Sequence, residues 1–127
     1  MLETFIAAQI IYRNIAIDMG LSKTQQFTSE QNELAEMAKV LGHPARIAIL
    51  QYLSTRNNCV CGSIVNEIGL AQATVSQHLK ALKAAGFIQG NVNGVSTCYC
   101  LNPAQLSKAN SLISGLLASC CSATNCC

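Results

Sequence analysis

From residue 29 onward, apolar residues fall at helical spacing in successive stretches and alternate in one pair of runs. Residues 29–41 open on Ser29-Glu30-Gln31-Asn32, a polar cap with an acidic first turn. They then carry Leu34, Met37, Ala38 and Leu41 as one stripe. Gly42-His43-Pro44 ends this helix, because proline cannot continue it. Pro44 opens the next, with Ile47, Leu50 and Leu53 on one side and Asn57-Asn58 as its close. Residues 61–68 read as a short helix with Ile64, Val65 and Ile68 apolar, followed by the turn Gly69-Leu70-Ala71. Residues 72–85 form a longer helix with Val75, Leu79 and Leu82 at i, i+4 and i+7, capped by Gly86. Residues 87–92 and 95–101 flank Asn93-Gly94, a strong signal for a tight hairpin. After Asn102-Pro103 the helical period returns over 104–119, on Leu106, Ala109, Leu112, Ile113 and Leu116.

A short helix, a glycine turn and a longer helix make a helix-turn-helix. A hairpin directly behind its second helix is a wing. The expected fold is therefore α+β, a mainly helical winged helix-turn-helix with a β-hairpin wing. Gln72, Thr74, Ser76, Gln77 and Lys80 lie on the polar side of the second helix and are candidates for contact with DNA bases and phosphates. Three segments are expected: an extension over 1–28, a winged-helix body over 29–118 and a cysteine-rich tail over 119–127. The apolar residues 1–18 have weak helical spacing. They read either as a segment upstream of an alternative start at Met19 or as an added helix that packs on a partner subunit.

Composition sharpens this picture. Half of the 127 residues are hydrophobic and 11% are charged, which excludes a disordered chain and favours self-association through an apolar face. The net charge of +2 permits nucleic acid as a partner without requiring it. No secretory leader is expected, since Glu3 precedes the first basic residue, Arg13. No membrane-spanning run is expected either. The eight cysteines fall into four close pairs: Cys59/Cys61, Cys98/Cys100, Cys120/Cys121 and Cys126/Cys127. Thiols this close are poor long-loop staples and good soft-ligand clusters. They read as reduced cytoplasmic thiols suited to metal, metalloid or redox chemistry. Cys98 and Cys100 share one strand face, where they either join Cys59/Cys61, form a site of their own, or simply pack.

The chain resembles the ArsR/SmtB family of winged-helix repressors over about residues 29–118. LGHPARIAIL is similar to the family's helix entry. CVCGSIVNEIGLAQATVSQHLKALKAAGFI is similar to its metal-box helix, turn and recognition helix, and NGVSTCYCLN to the second strand of its wing. The resemblance implies a homodimer that binds operator DNA and leaves it when an inducer binds. Cys59-Val60-Cys61 stands where arsenic- and cadmium-type members carry Cys-Val-Cys, at what is expected to be a helix N-terminus. That environment would favour thiolate. The third cysteine of the arsenite-type motif is Ile64 here, so a three-thiolate site cannot close within one helix. Cys98, Cys100, Cys120 and Cys121 are additional candidate ligands. Residues 104–127 hold no His, Asp or Glu, so the family's zinc-type site on the last helix is absent. His43 and His78 lie within fold motifs and are read as structural or DNA-facing. The family often has Arg near the wing tip, where this chain has Val95.

The expectation is a cytoplasmic, homodimeric repressor of double-stranded operator DNA, without organic cofactor, induced by As(III) or Sb(III) on Cys59 and Cys61. Alternatives on the same fold are a thiol-redox or persulfide sensor and a cadmium- or lead-responsive repressor. A thiol-rich metal-buffering protein is the alternative from another class. An enzyme is not expected, since no nucleophile–base arrangement is suggested.

Overall fold

The computed structural model describes residues 23–94 and 96–124. The expectations for residues 1–18, Met19, Cys126 and Cys127 lie outside the described residues. The chain divides into two compact units, residues 1–33 and 34–127. In the first, a 3-10 turn at Lys23–Gln26 precedes the start of α1 (Ser29–Leu41). Thr28 Oγ1 accepts from the Gln31 amide at 3.1 Å, and Gln31 Oε1 accepts from the Thr28 amide at 2.9 Å. This reciprocal box satisfies two amides that a helix start leaves without backbone partners.

The second unit holds the remainder of α1, then α2 (Pro44–Ser54), β1 (Val60–Cys61), α3 (Ile64–Ile68), α4 (Gln72–Ala84), β2 (Ile88–Asn93), β3 (Ser96–Leu101) and α5 (Pro103–Thr124). The strands form one antiparallel sheet in the order β1-β3-β2. The winged helix-turn-helix is thus as expected, with one more strand.

The core gathers the apolar stripes. Ile49, Val75, Leu82, Phe87 and Ile88 are fully buried, with Met37, Leu53, Ile64, Leu79 and Ala109 around them. In α2 the buried stripe is Ala45, Ile49 and Leu53, whereas Ile47 is 40% exposed. Of the expected stripe, Leu53 is buried and Leu50 packs against the core, while Ile47 turns outward and Ala45 and Ile49 complete the buried side. In α4 the buried face is Val75, His78, Leu79 and Leu82, at i, i+3, i+4 and i+7.

Both turns that frame α4 depend on glycine. Gly69, with φ of 72°, ends α3, and its amide bonds to Val65 O at 3.0 Å. Gly86, with φ of 81°, ends α4 in a Schellman arrangement: its amide reaches Lys83 O and the Phe87 amide reaches Leu82 O, both at 3.0 Å. Asn102 Nδ2 donates to Gly86 O at 2.9 Å and Gln105 Nε2 to Ala85 O at 2.8 Å, which ties the start of α5 to the end of α4.

Three local expectations change. Asn93 belongs to β2 and pairs with Ser96, so the hairpin turn begins at Gly94 (φ 68°) rather than on Asn93-Gly94. Residues 61–63 are not helical. Val60 and Cys61 pair with β3 and Gly62 turns the chain at φ of 79°, so α3 begins only at Ile64. Finally, α5 continues to Thr124, which puts Cys120 and Cys121 on an exposed helix rather than in an irregular tail. The helix runs unbroken through Gly115, because a single interior glycine costs only about 1 kcal/mol. Among the described residues no helix is long and apolar enough to cross a membrane.

Leu82 is 0% exposed at the centre of the core. Leu82→Ala is expected to lower unfolding free energy by about 2–5 kcal/mol, read as a shifted midpoint in urea with an unchanged slope.

Candidate functional site

Two surfaces carry chemistry. The first is the outer face of α4. Burial of Val75, His78, Leu79 and Leu82 fixes the rotation of the helix, and Gln72, Thr74, Ser76, Gln77 and Lys80 all emerge exposed. Each carries a donor or acceptor of the kind that pairs with base edges or phosphates, and a major groove admits a helix of this width.

The rotation is held by a polar node as well as by apolar contacts. His78 is 9% exposed and its Nδ1 accepts from Arg46 Nε at 3.3 Å. Arg46 also donates to Val40 O at 3.0 Å. The His43 ring lies 4.3 Å from the His78 ring, and His43 Nδ1 caps α2 by accepting from the Ala45 amide at 3.1 Å. Of the two roles expected for His78, the buried, structural one holds. Burial, then the charges of His43 and Arg46, hold His78 below its ordinary pKa of 6.5.

The second surface is made by the sheet. In β1 and β3, Val60 faces Tyr99 and Cys61 faces Cys98. Residues directly opposite in an antiparallel pair point the same way, and every second residue repeats that direction. Val60 and Tyr99 pack on the core. Cys59, Cys61, Cys98 and Cys100 therefore share the opposite face. Cys59 is bonded to Cys100 and Cys61 to Cys98, with Cα atoms 4.5 and 4.2 Å apart. Cys59 and Cys61 are exposed, Cys100 is half-buried and Cys98 is 6% exposed.

This arrangement corrects two readings. Cys59 and Cys61 do not sit at a helix N-terminus, because strand pairing takes the segment where a helical start was expected. The four sulfurs also stand in two cross-strand disulfides here, where free thiols were expected. The neighbours Cys59/Cys61 and Cys98/Cys100 do not bond to one another; each bonds across the strands, over sequence separations of 41 and 37. The first such link to form is worth about 4 kcal/mol in the chain-entropy picture, so the objection that close cysteines staple little does not apply to it, while the second, two residues away on each strand, adds little more. With the sulfurs paired, no group of three or more His, Cys, Asp or Glu among the described residues is placed to hold a metal ion. The sheet joins Cys98 and Cys100 to Cys59 and Cys61, and Cys120 and Cys121 lie on α5.

The order of elements, the glycine turns around α4 and the hairpin behind it define a winged helix-turn-helix of the DNA-binding regulator class. The model of the arsR family of bacterial regulatory proteins matches residues 43–89. A helix-turn-helix transcriptional regulator of Methanocaldococcus jannaschii is 38% identical over 66 residues, 51% of this chain and 73% of that protein. The arsenical resistance operon repressor of Staphylococcus xylosus is 33% identical over 78 residues, 61% of this chain and 74% of that one. The repressor SmtB of Mycobacterium tuberculosis is 41% identical over 64 residues, 50% of this chain and 47% of its own length. Among solved structures, Rv0081 of M. tuberculosis superposes with a TM-score of 0.53 at 30% identity, covering 72% of this chain and 93% of that one. The homodimeric winged helix-turn-helix DNA-binding domain Mb0332 of Mycobacterium bovis gives a TM-score of 0.56 at 22% identity, over 78% and 89%. The chain belongs to the ArsR/SmtB family of transcriptional regulators, whose named relatives are repressors and not enzymes.

The His78 shift makes stability depend on pH. The folded state favours neutral His78, so its contribution is complete above the unfolded value of 6.5 and is lost as pH falls below it. Thermal midpoints are expected to drop between pH 7.5 and 5, and the drop to shrink in His78→Asn; an equal drop in both proteins would refute the assignment.

Proposed function

We propose that the protein is a cytoplasmic, homodimeric repressor that holds operator DNA through α4. In this reading its reduced cysteine cluster captures As(III) or Sb(III), and the protein then releases the operator. The observation that carries it is the shared sheet face of Cys59, Cys61, Cys98 and Cys100. These trivalent ions are thiophilic and take up to three thiolates. Ile64 leaves the Cys59/Cys61 segment one donor short, and β3 offers two more sulfurs on the same face. The donor set therefore fits the ion chemically once the disulfides are reduced. The arsenical resistance relative from S. xylosus points the same way. Cadmium and lead would draw on the same four donors.

Coupling to DNA follows from where the cluster sits. β1 leads through Gly62 and Ser63 into α3, the support of the recognition helix, while β3 is part of the wing. A ligand that draws these sulfurs together changes how wing and helices are held. It releases DNA only if it binds the DNA-incompetent form more tightly. Subunit pairing would bury the outer part of α5, where Leu116 is 49% and Leu117 60% exposed.

A second reading rests on the bonds themselves. Cys59–Cys100 and Cys61–Cys98 each tie β1 to β3, so oxidation and reduction would set operator affinity with no metalloid present.

Fluorescence anisotropy on DNA upstream of the protein's own coding sequence tests both. Reduced wild type is expected to release DNA with arsenite. Cys59→Ser/Cys61→Ser is expected to bind DNA and ignore arsenite, while a variant with serine at 120, 121, 126 and 127 still responds. Loss of response only in the latter would move the site to the C-terminal cysteines. Operator affinity that differs between oxidised and reduced protein without arsenite supports the redox reading, and equal affinity removes it.

The recognition face has its own test. Ser76→Ala/Gln77→Ala is expected to weaken operator binding roughly tenfold or more, with melting unchanged because both side chains are exposed. Unchanged affinity would exclude them from the interface.

A further inference from the structure

Two hollows flank the outer disulfide. One, of about 320 Å³, is walled by Arg56, Asn57, Asn58, Cys59, Tyr99 and Cys100 among others. The other, of about 510 Å³, shares Arg56, Asn57, Asn58 and Cys59 with it and adds Cys61 and Ser63. Volumes of this order accept small molecules. No carboxylate lines either hollow. The fixed charge in both walls is the Arg56 guanidinium, placed 4.7 Å over the Tyr52 ring, and Tyr52 is in turn anchored by a 2.9 Å hydrogen bond to Ser63 Oγ. The two asparagine amides add neutral donors. Cys59 is exposed and lines both spaces, Cys100 lines the first, and Cys98 is buried and lines neither.

We infer that this groove is a docking site for an anionic low-molecular-weight disulfide, which delivers the oxidation of Cys59 and Cys100. The inference rests on the redox reading only for its effect on DNA. Arg56 and the asparagine amides hold a carboxylate of the ligand beside Cys59. The Cys59 thiolate attacks one ligand sulfur, forming a Cys59–ligand mixed disulfide and expelling one ligand thiolate. The Cys100 thiolate then attacks Cys59 Sγ, forming Cys59–Cys100 and expelling the second ligand thiolate. Two protein thiols lose two electrons, the ligand disulfide gains them, and the two thiol protons pass to the departing thiolates. The first hollow is lined by both sulfurs of this pair and leaves room for the ligand half to enter and leave, whereas in the other pair Cys61 is exposed but Cys98, which would resolve an adduct, is buried and lines neither hollow.

The test compares glutathione disulfide, which is anionic, with cystamine, which is cationic, on the reduced full chain. Mass spectrometry with peptide mapping separates Cys59 products from those on the C-terminal cysteines. Formation of Cys59–Cys100 is expected to be about tenfold or more faster with glutathione disulfide, and Arg56→Gln is expected to abolish that preference. Cys100→Ser is expected to accumulate the glutathione adduct on Cys59. Equal or faster reaction with cystamine, an unchanged preference in Arg56→Gln, or a first adduct on another cysteine would each overturn the docking site. The exposed Arg56 can be replaced without touching the core, so the rate comparison stands even if Cys100→Ser folds poorly. Anisotropy on the same samples keeps the two ideas apart. Selective Cys59 oxidation without a change in DNA affinity refutes redox control and leaves the groove, whereas altered affinity with no anion preference does the reverse.

Discussion

The pairing of β1 with β3 is the constraint on which the chemistry of this protein depends. It is two residues long, Val60 on Tyr99 and Cys61 on Cys98. Short as it is, it does three things. It buries Val60 against the core, it stops the helix-turn-helix from starting at residue 61, and it faces two Cys-X-Cys segments, 37 or more residues apart, toward each other. Strand geometry sets the outcome: with period two on each strand and side chains of opposite residues parallel, Cys-X-Cys against Cys-X-Cys puts all four sulfurs on one face. A shift of one residue in register would instead set cysteine opposite Val60 or Tyr99.

The same pairing connects two parts of the molecule that a DNA-binding regulator must coordinate. α3 and α4 are joined by a tight glycine turn, and α4 is fixed from below by Val75, Leu79 and Leu82 and by the Arg46–His78 hydrogen bond. The wing is fixed at its base through Phe87, which is fully buried, and through Asn102, whose amide bonds to Phe87 O at 2.9 Å. Between these two rigid attachments lies the cysteine cluster. The cluster thus lies at a joint between these elements and not on the exposed face of α4.

The polar node beneath α4 shows how a helix-turn-helix with few charges specifies its orientation. Apolar contacts hold a helix against a core but allow it to rotate by part of a turn. Arg46 bonds at once to His78 on α4 and to Val40 O on α1, so it fixes one rotation by hydrogen-bond direction. The His43 ring packs tilted against that of His78, and His43 Nδ1 caps α2, so one side chain joins the start of a helix to the middle of α4.

Much of this was legible in the residues. The apolar periods of residues 29–41 and 72–85, the glycines at 69 and 86 and the alternation on either side of Gly94 are local signals, and each reflects a conformational preference that acts within a few residues. The polar face of α4 was legible for the same reason, since the buried stripe of an amphipathic helix determines its opposite side. What tertiary structure decided were the matters that depend on a distant partner. A two-residue strand has no period to detect, so the pattern starts the helix at Cys61, which pairing with β3 instead takes into β1. Which cysteines meet could not be read from their spacing, because cysteines two apart on a strand share a face but sit about 6.6 Å apart along it, while the partner within bonding distance sits across the sheet. The burial of His78 depends on Arg46 and His43 arriving from another helix. Local sequence determined the elements; the pairing of surfaces far apart in the chain determined the site.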